Sequence, residues 1–270
     1  MRLFDNVTDA WLRRLQEVLA EGTEAAPRGK KTLEILHVTT RVALNRPVVL
    51  VPDRRLNYSF MAAEALWVAA GSDRLADLLP WNQRMAEFSD DGETLAGAYG
   101  PKVVAQFDYV ATTLLRDPTS RQAVLSLWER NPSPSKDIPC TLALQFMIRD
   151  GRLDAHVFMR SSDVWLGLPY DLFTFAMVAV KLACRLNMTG QFNNDVVRLG
   201  DLYLTAASSH LYAEHRAAAE LIVASAPPVI DYKDRDVPST LIIRGDWAAL
   251  VVELERCRDK AALTSWKIRP

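Results

Sequence analysis

Glycine, cysteine and histidine are all scarce in this sequence: 270 residues include 11, 3 and 4 of them. So few glycines leave little material for a glycine-rich phosphate loop or a dinucleotide-binding fingerprint, and neither pattern occurs. Cys140, Cys184 and Cys257 are odd in number and widely spaced, which argues against a disulfide framework and for a reducing compartment. His37, His156, His210 and His215 form no Cys/His cluster of zinc spacing, so no metal is expected. Neither sign of charge dominates, with 32 Lys and Arg against 33 Asp and Glu. That balance offers no general field to a nucleic-acid polymer; an anion site would be a local cluster of Arg or Lys suited to a small nucleotide. No apolar run reaches membrane-spanning length, and residues 1–5 lead straight into an amphipathic pattern rather than a secretory leader. A soluble cytoplasmic protein without nucleic-acid or membrane partners is expected.

What the chain does have is apolar mass. Hydrophobic residues make up 49%, enough for one substantial core, and no repeat or linker divides the sequence, so a single domain over residues 1–270 is expected. Helical spacing predicts helices over residues 8–20 (capped by Thr8 or Asp9), 59–70 (closed by Gly71), 103–115, 172–186, 213–225 and 247–263. Strand patterns cover residues 33–42, 123–128, 141–148, 153–159, 202–207 and 240–244. Asp150-Gly151 joins two of these as a hairpin, which brings Cys140 and Arg160 to one edge. A lone cysteine is commonly an inert apolar filler. Cys140 gains interest from Arg160 across the hairpin, because a nearby cation favours the thiolate that a cysteine nucleophile must become.

Around this hairpin stand Pro139-Cys140, Gln145-Phe146, Arg160-Ser161-Ser162-Asp163 and Leu166-Gly167-Leu168-Pro169-Tyr170-Asp171. This block resembles the thymidylate synthases, whose motif reads Pro-Cys-His, Gln-Phe, Arg-Ser-x-Asp, then Leu-Gly-x-Pro-Phe-Asn. The resemblance runs from about residue 15 to 215. It implies an α+β, three-layer fold with a central mixed sheet, a homodimer, a pyrimidine nucleoside monophosphate as substrate, and 5,10-methylenetetrahydrofolate as the one-carbon donor. It also implies roles. Cys140 would add to C6 of the base, Glu64 would organise proton transfer around C4, and Tyr99 would stand near the proton leaving C5. Arg28, Arg160 and Ser161 would hold the 5′-phosphate, with Arg121 donated across the dimer interface. His210 and Tyr212 would take a sugar hydroxyl, and Asp163, Gly167 and Trp81 would meet the folate.

Departures from the family pattern refine the expectation. Asp171 stands where those enzymes place an Asn to read uracil, as in the cytidylate hydroxymethylase branch. Cytosine presents an amino donor at N4 and an acceptor at N3, so a carboxylic side chain suits it better than it suits uracil O4. Asp is also a favoured helix cap, and the two roles are compatible. Gln122 replaces the second of two family arginines, Ala206-Ala207-Ser208 replaces Gly-Gly-Asp, and the end, Trp266-Lys267-Ile268-Arg269-Pro270, differs from the family's apolar tail. The expected activity is 5-hydroxymethylation of CMP or dCMP, as in nucleoside-antibiotic pathways. A thymidylate synthase, a dUMP hydroxymethylase and a non-catalytic nucleotide-binding homologue are the alternatives.

Overall fold

The computed structural model describes residues 6–190, 196–225 and 236–260. Helix α1 (Val7–Glu21) buries Trp11, Leu15 and Val18. Its cap is Asn6 rather than Thr8 or Asp9: the Asn6 side chain accepts from Asp9 N at 2.8 Å. Thr8 is used elsewhere, its hydroxyl accepting from Leu50 N at 2.9 Å. Strands β1 (Thr23–Ala25) and β2 (Thr32–Ala43) pair antiparallel, and Arg28 sits between them at φ 54°. Helix α2 (Tyr58–Ala70) ends at Gly71, whose φ of 79° lets its N–H reach back to Trp67 O and Val68 O. Helix α3 (Gly100–Arg116) starts ahead of its apolar spacing because Pro101 is at home in a first turn.

Beyond the short β3 (Val124–Ser126), β4 (Thr141–Arg149) and β5 (Arg152–Met159) form the expected hairpin. Asp150 and Gly151 both have positive φ, 50° and 68°, the twist that a two-residue hairpin turn needs. After the two-residue β6 (Ser162–Asp163) comes α4 (Leu168–Asn187), buried nearly all round. It starts four residues before the expected position, so Asp171 lies inside its first turn rather than at its cap, which is Gly167.

The largest departure is β7 (Arg198–Tyr212), fifteen residues where a short strand was expected. Its last third is polar, which hid it from the apolar pattern; there it is held by β2 on one side and β6 on the other. Helix α5 (Arg216–Ser225) follows. Residues 240–244, read as a strand from Leu241-Ile242-Ile243, lie instead in helix α6 (Ser239–Arg244). Pro238 precedes its first turn and Gly245, at φ 68°, ends it, while Leu241 and Ile242 are buried. Helix α7 (Trp247–Lys260) completes the described chain, and the expected continuation to residue 263 lies outside it.

The sheet runs β1-β2-β7-β5-β4-β3, with β6 added beside β7. Contacts of β7 with β5 and β6 are parallel and the remaining pairs antiparallel, so the sheet is mixed and the class α+β. Helix α4 packs on β5 and β7 on one side and on α2 and α3 on the other, which makes three layers. The opposite sheet face keeps Thr39, His156, Phe158 and Tyr203 partly exposed. No helix among the described residues is long and apolar enough to cross a membrane.

Candidate active site

Cys140 stands immediately before β4, and the hairpin closes behind it with Arg160 N donating to Cys140 O at 2.9 Å. The Arg160 guanidinium grips the chain leading to the thiol: Nε donates to Pro139 O at 2.9 Å, Nη2 to Ile138 O at 3.0 Å and Nη1 to Ser161 Oγ at 3.3 Å. Ser161 Oγ in turn donates to Cys140 Sγ at 3.6 Å. The expected thiolate is not the resting form. Burial pushes the Cys140 thiol up from its ordinary value, and this outweighs the Ser161 bond and the Arg160 charge, both of which pull it down. Thr141, fully buried, donates to the Tyr99 hydroxyl at 3.1 Å, and the Tyr99 ring stacks on Phe175. Burial, with the nearby Asp171 and Cys140, keeps that phenol well above its usual range and therefore protonated.

Asp171 feels the charge of two other carboxyl groups, Glu64 and Asp163. Glu64 on α2 accepts from Thr174 Oγ1 of α4 at 3.3 Å, and burial pushes it up to about 7. Asp171, one turn before Thr174, is pushed well above the carboxylate range by burial first, then by Glu64 and Asp163. It sits against Gly167: a Cβ there would stand 3.3 Å from Asp171 Oδ2. Asp163 on β6 uses Oδ1 to accept from Trp165 N at 2.7 Å and Leu166 N at 2.9 Å. Its Oδ2 is buried without a partner among the described residues.

His210 and Tyr212 project from the polar end of β7, their rings edge to face at 5.2 Å. The loop bearing Arg28 lies beside them: Lys30 Nζ is 5.8 Å from the Tyr212 ring centre, and Ala213 N donates to Lys31 O. Arg28 and Arg121 are both exposed, and neither forms an ion pair among the described residues. The structure does not bring these two together. Arg28 lies in the turn at the β1–β2 edge and Arg121 next to β3 at the other, between four and five strand spacings away, roughly 20 Å or more across the sheet. Trp81 is tied toward α4 by its backbone, its carbonyl accepting from Asn57 Nδ2 at 2.8 Å while Asn57 N donates to the Tyr170 hydroxyl at 3.0 Å. The Trp81 ring is 5.4 Å from the Arg258 guanidinium of α7 and lines a cavity of about 390 Å³ between α2 and α7.

Two groups escaped the sequence reading. Thr174 was legible in principle, since it follows Asp171 by three residues on one helix face. Glu34 was not: Ser208 Oγ donates to its Oε2 at 2.6 Å, a contact between residues 174 apart that depends on the β2–β7 register.

The thymidylate synthase family profile matches residues 9–234 of the chain. The chain belongs to that family. Among individual proteins, this thymidylate synthase homologue is similar to the deoxyuridylate hydroxymethyltransferase of Bacillus phage SP01, 31% identical over 234 residues. That match covers 78% of the chain and spans 58% of the relative's length.

Proposed function

We propose that this thymidylate synthase homologue is a pyrimidine nucleotide 5-hydroxymethyltransferase acting on CMP or dCMP. The observation that carries the reading is Asp171, a fully buried carboxyl group of raised proton affinity where the family places an amide. A carboxyl group accepts from the N4 amino group of cytosine and, at N3, either donates when neutral or accepts from the protonated nitrogen when ionised, so it matches cytosine in both protonation states. Cys140, once deprotonated, adds to C6 and leaves C5 nucleophilic; methylenetetrahydrofolate supplies the one-carbon unit. Loss of the C5 proton and of tetrahydrofolate would leave an exocyclic methylene, water would add to it, and departure of the Cys140 thiolate from C6 would restore the base. Glu64, near 7, is poised to pass a proton at the C4 side of the base in either direction. Tyr99, beside both Cys140 and Asp171, is the group to guide the proton lost from C5. Asp163 fits the folate because its unpartnered Oδ2 is an acceptor for a ring N–H, with Gly167 leaving room beside it. Arg28, Arg160 and Ser161 complete the phosphate grip. The partly exposed sheet face suits a second copy, whose Arg121 would reach this site.

A dUMP hydroxymethyltransferase is the second reading. The activity of the phage relative favours it, and Asp171 can donate to uracil O4 and accept from N3–H when neutral, though in that protonation state alone. Tritium release from C5-labelled CMP, dCMP and dUMP decides between them, with product mass and folate oxidation state followed in parallel. Release from a cytidylate, a hydroxymethyl mass gain and tetrahydrofolate are expected. Asp171→Asn should then shift preference from cytosine to uracil by about tenfold or more, since a mismatched donor or acceptor in a desolvated pocket is strongly penalised. Release from dUMP alone, with a hydroxymethyl mass gain and tetrahydrofolate, establishes the second reading; release from dUMP with a methyl gain and dihydrofolate, or no release from any substrate, excludes both.

A further inference from the structure

Three adjacent strands set a carboxylate on each side of His210. Across β2–β7 its Cα partner is Glu34, and across β6–β7 it is Asp163. Residues paired in this way point to one face of a sheet, with Cβ atoms about 5 Å apart in an antiparallel pair. Glu34 and Asp163 both act on the His210 imidazole electrostatically, raising its proton affinity against the burial that lowers it. Asp163 is engaged by the Trp165 and Leu166 amides. Glu34 is held differently. Its Oε2 is fixed by the Ser208 hydroxyl, and its Oε1 has no hydrogen-bond partner among the described residues. The carboxylate is half-buried and is oriented by one bond with one acceptor left over.

The consequence concerns the sugar, and it rests on the reading of this site as a nucleotide pocket in which His210 and Tyr212 take one sugar hydroxyl. A ribose carries a second hydroxyl on the adjacent carbon, on the same side of the ring. On the β2 side the acceptor paired with His210 is Glu34. We infer that Glu34 is a specificity-determining residue: its Oε1 accepts a hydrogen bond from the 2′-hydroxyl, so that the enzyme selects ribonucleotides over deoxyribonucleotides. Ser208 is the positioning residue that aims it. A deoxyribose would leave a half-desolvated carboxylate oxygen unpaired, a loss of about tenfold or more in affinity for a charged acceptor.

The experiment is equilibrium binding of CMP, dCMP, UMP and dUMP to the full chain and to its Glu34→Ala and Glu34→Gln variants, by calorimetry. For either base, the ribonucleotide should bind at least about tenfold tighter than its deoxy counterpart, and Glu34→Ala should bring that ratio to about one. Glu34→Gln keeps the side-chain volume and offers a neutral acceptor, so its ratio should fall several-fold; it carries the test if the alanine variant does not fold. A wild-type ratio near or below one overturns the inference. So does a ratio that survives Glu34→Ala, even when both nucleotides bind more weakly. The base assignment is read separately, from cytosine against uracil at constant sugar, so either conclusion can fail alone.

Discussion

The hydroxyl of Ser161 points its proton at the sulfur of Cys140 across 3.6 Å, at the place where the β4–β5 hairpin closes. The contact exists because Arg160, the preceding residue, has its guanidinium tied to the carbonyls of Ile138 and Pro139, which locks both ends of the hairpin together. The serine is therefore the nearest group able to stabilise negative charge on the thiol, while burial works against it. The pH profile of Cys140 alkylation by iodoacetamide, followed by mass spectrometry, should have its midpoint above that of an ordinary thiol. Ser161→Ala should move it higher still, since the thiolate loses a donor. An unchanged midpoint would mean that the 3.6 Å contact has no electrostatic effect.

Glu64 ties stability to pH. Its carboxyl is pushed up from 4.5 to about 7 by burial, so the native state holds a proton that the unfolded chain has already released. Stability is therefore fully present below about 4.5 and falls as pH rises toward 7, where it levels off; the total is on the order of 3 kcal/mol. Glu64→Gln removes the charge but keeps an oxygen to accept from Thr174. Urea unfolding should find the variant more stable than wild type at pH 8 and close to it at pH 4.5. A difference that does not change with pH would show that Glu64 titrates near its normal value in the folded protein.

How far the sequence foretold this arrangement depends on the range of the interaction that decides each element. Hairpin geometry was legible because Asp150-Gly151 is a local signal between two alternating runs. The carboxyl side chain of Asp171 was legible because it interrupts a recognisable motif. Residues 240–244 misled because three consecutive branched or γ-branched apolar residues fit a strand as well as a single helical turn, and the flanking Pro238 and Gly245 were the better guide. The polar end of β7 was hidden for another reason. Ser208 and His210 carry no apolar alternation, and what makes them strand is pairing with residues more than 150 positions earlier on β2. The same long-range register creates the Glu34–Ser208 bond. The placement of Trp81 against α7 likewise follows from packing between distant helices, which an isolated tryptophan cannot announce.

Gly167 offers a test of the carboxyl orientation that spares the fold. Its backbone angles, φ −95° and ψ −55°, suit any L residue, and it occupies the cap of α4 without a side-chain bond. Alanine there should cost no more than about 1 kcal/mol of stability: alanine ranks below glycine at a cap, but the αR angles of Gly167 favour alanine over glycine. The added methyl, however, would lie 3.3 Å from Asp171 Oδ2 and 3.5 Å from Asp163 O. The Asp163 carbonyl is fixed, because it already accepts from Gly167 N, so the Asp171 carboxyl must turn. A base reader moved by a few tenths of an ångström should lose roughly tenfold in kcat/KM, as small misplacements of reacting groups are costly. Steady-state kinetics on the preferred nucleotide, set beside urea unfolding of the same variant, separates the two effects. Full activity in a stable Gly167→Ala protein would show that Asp171 does not meet the base in the orientation seen here.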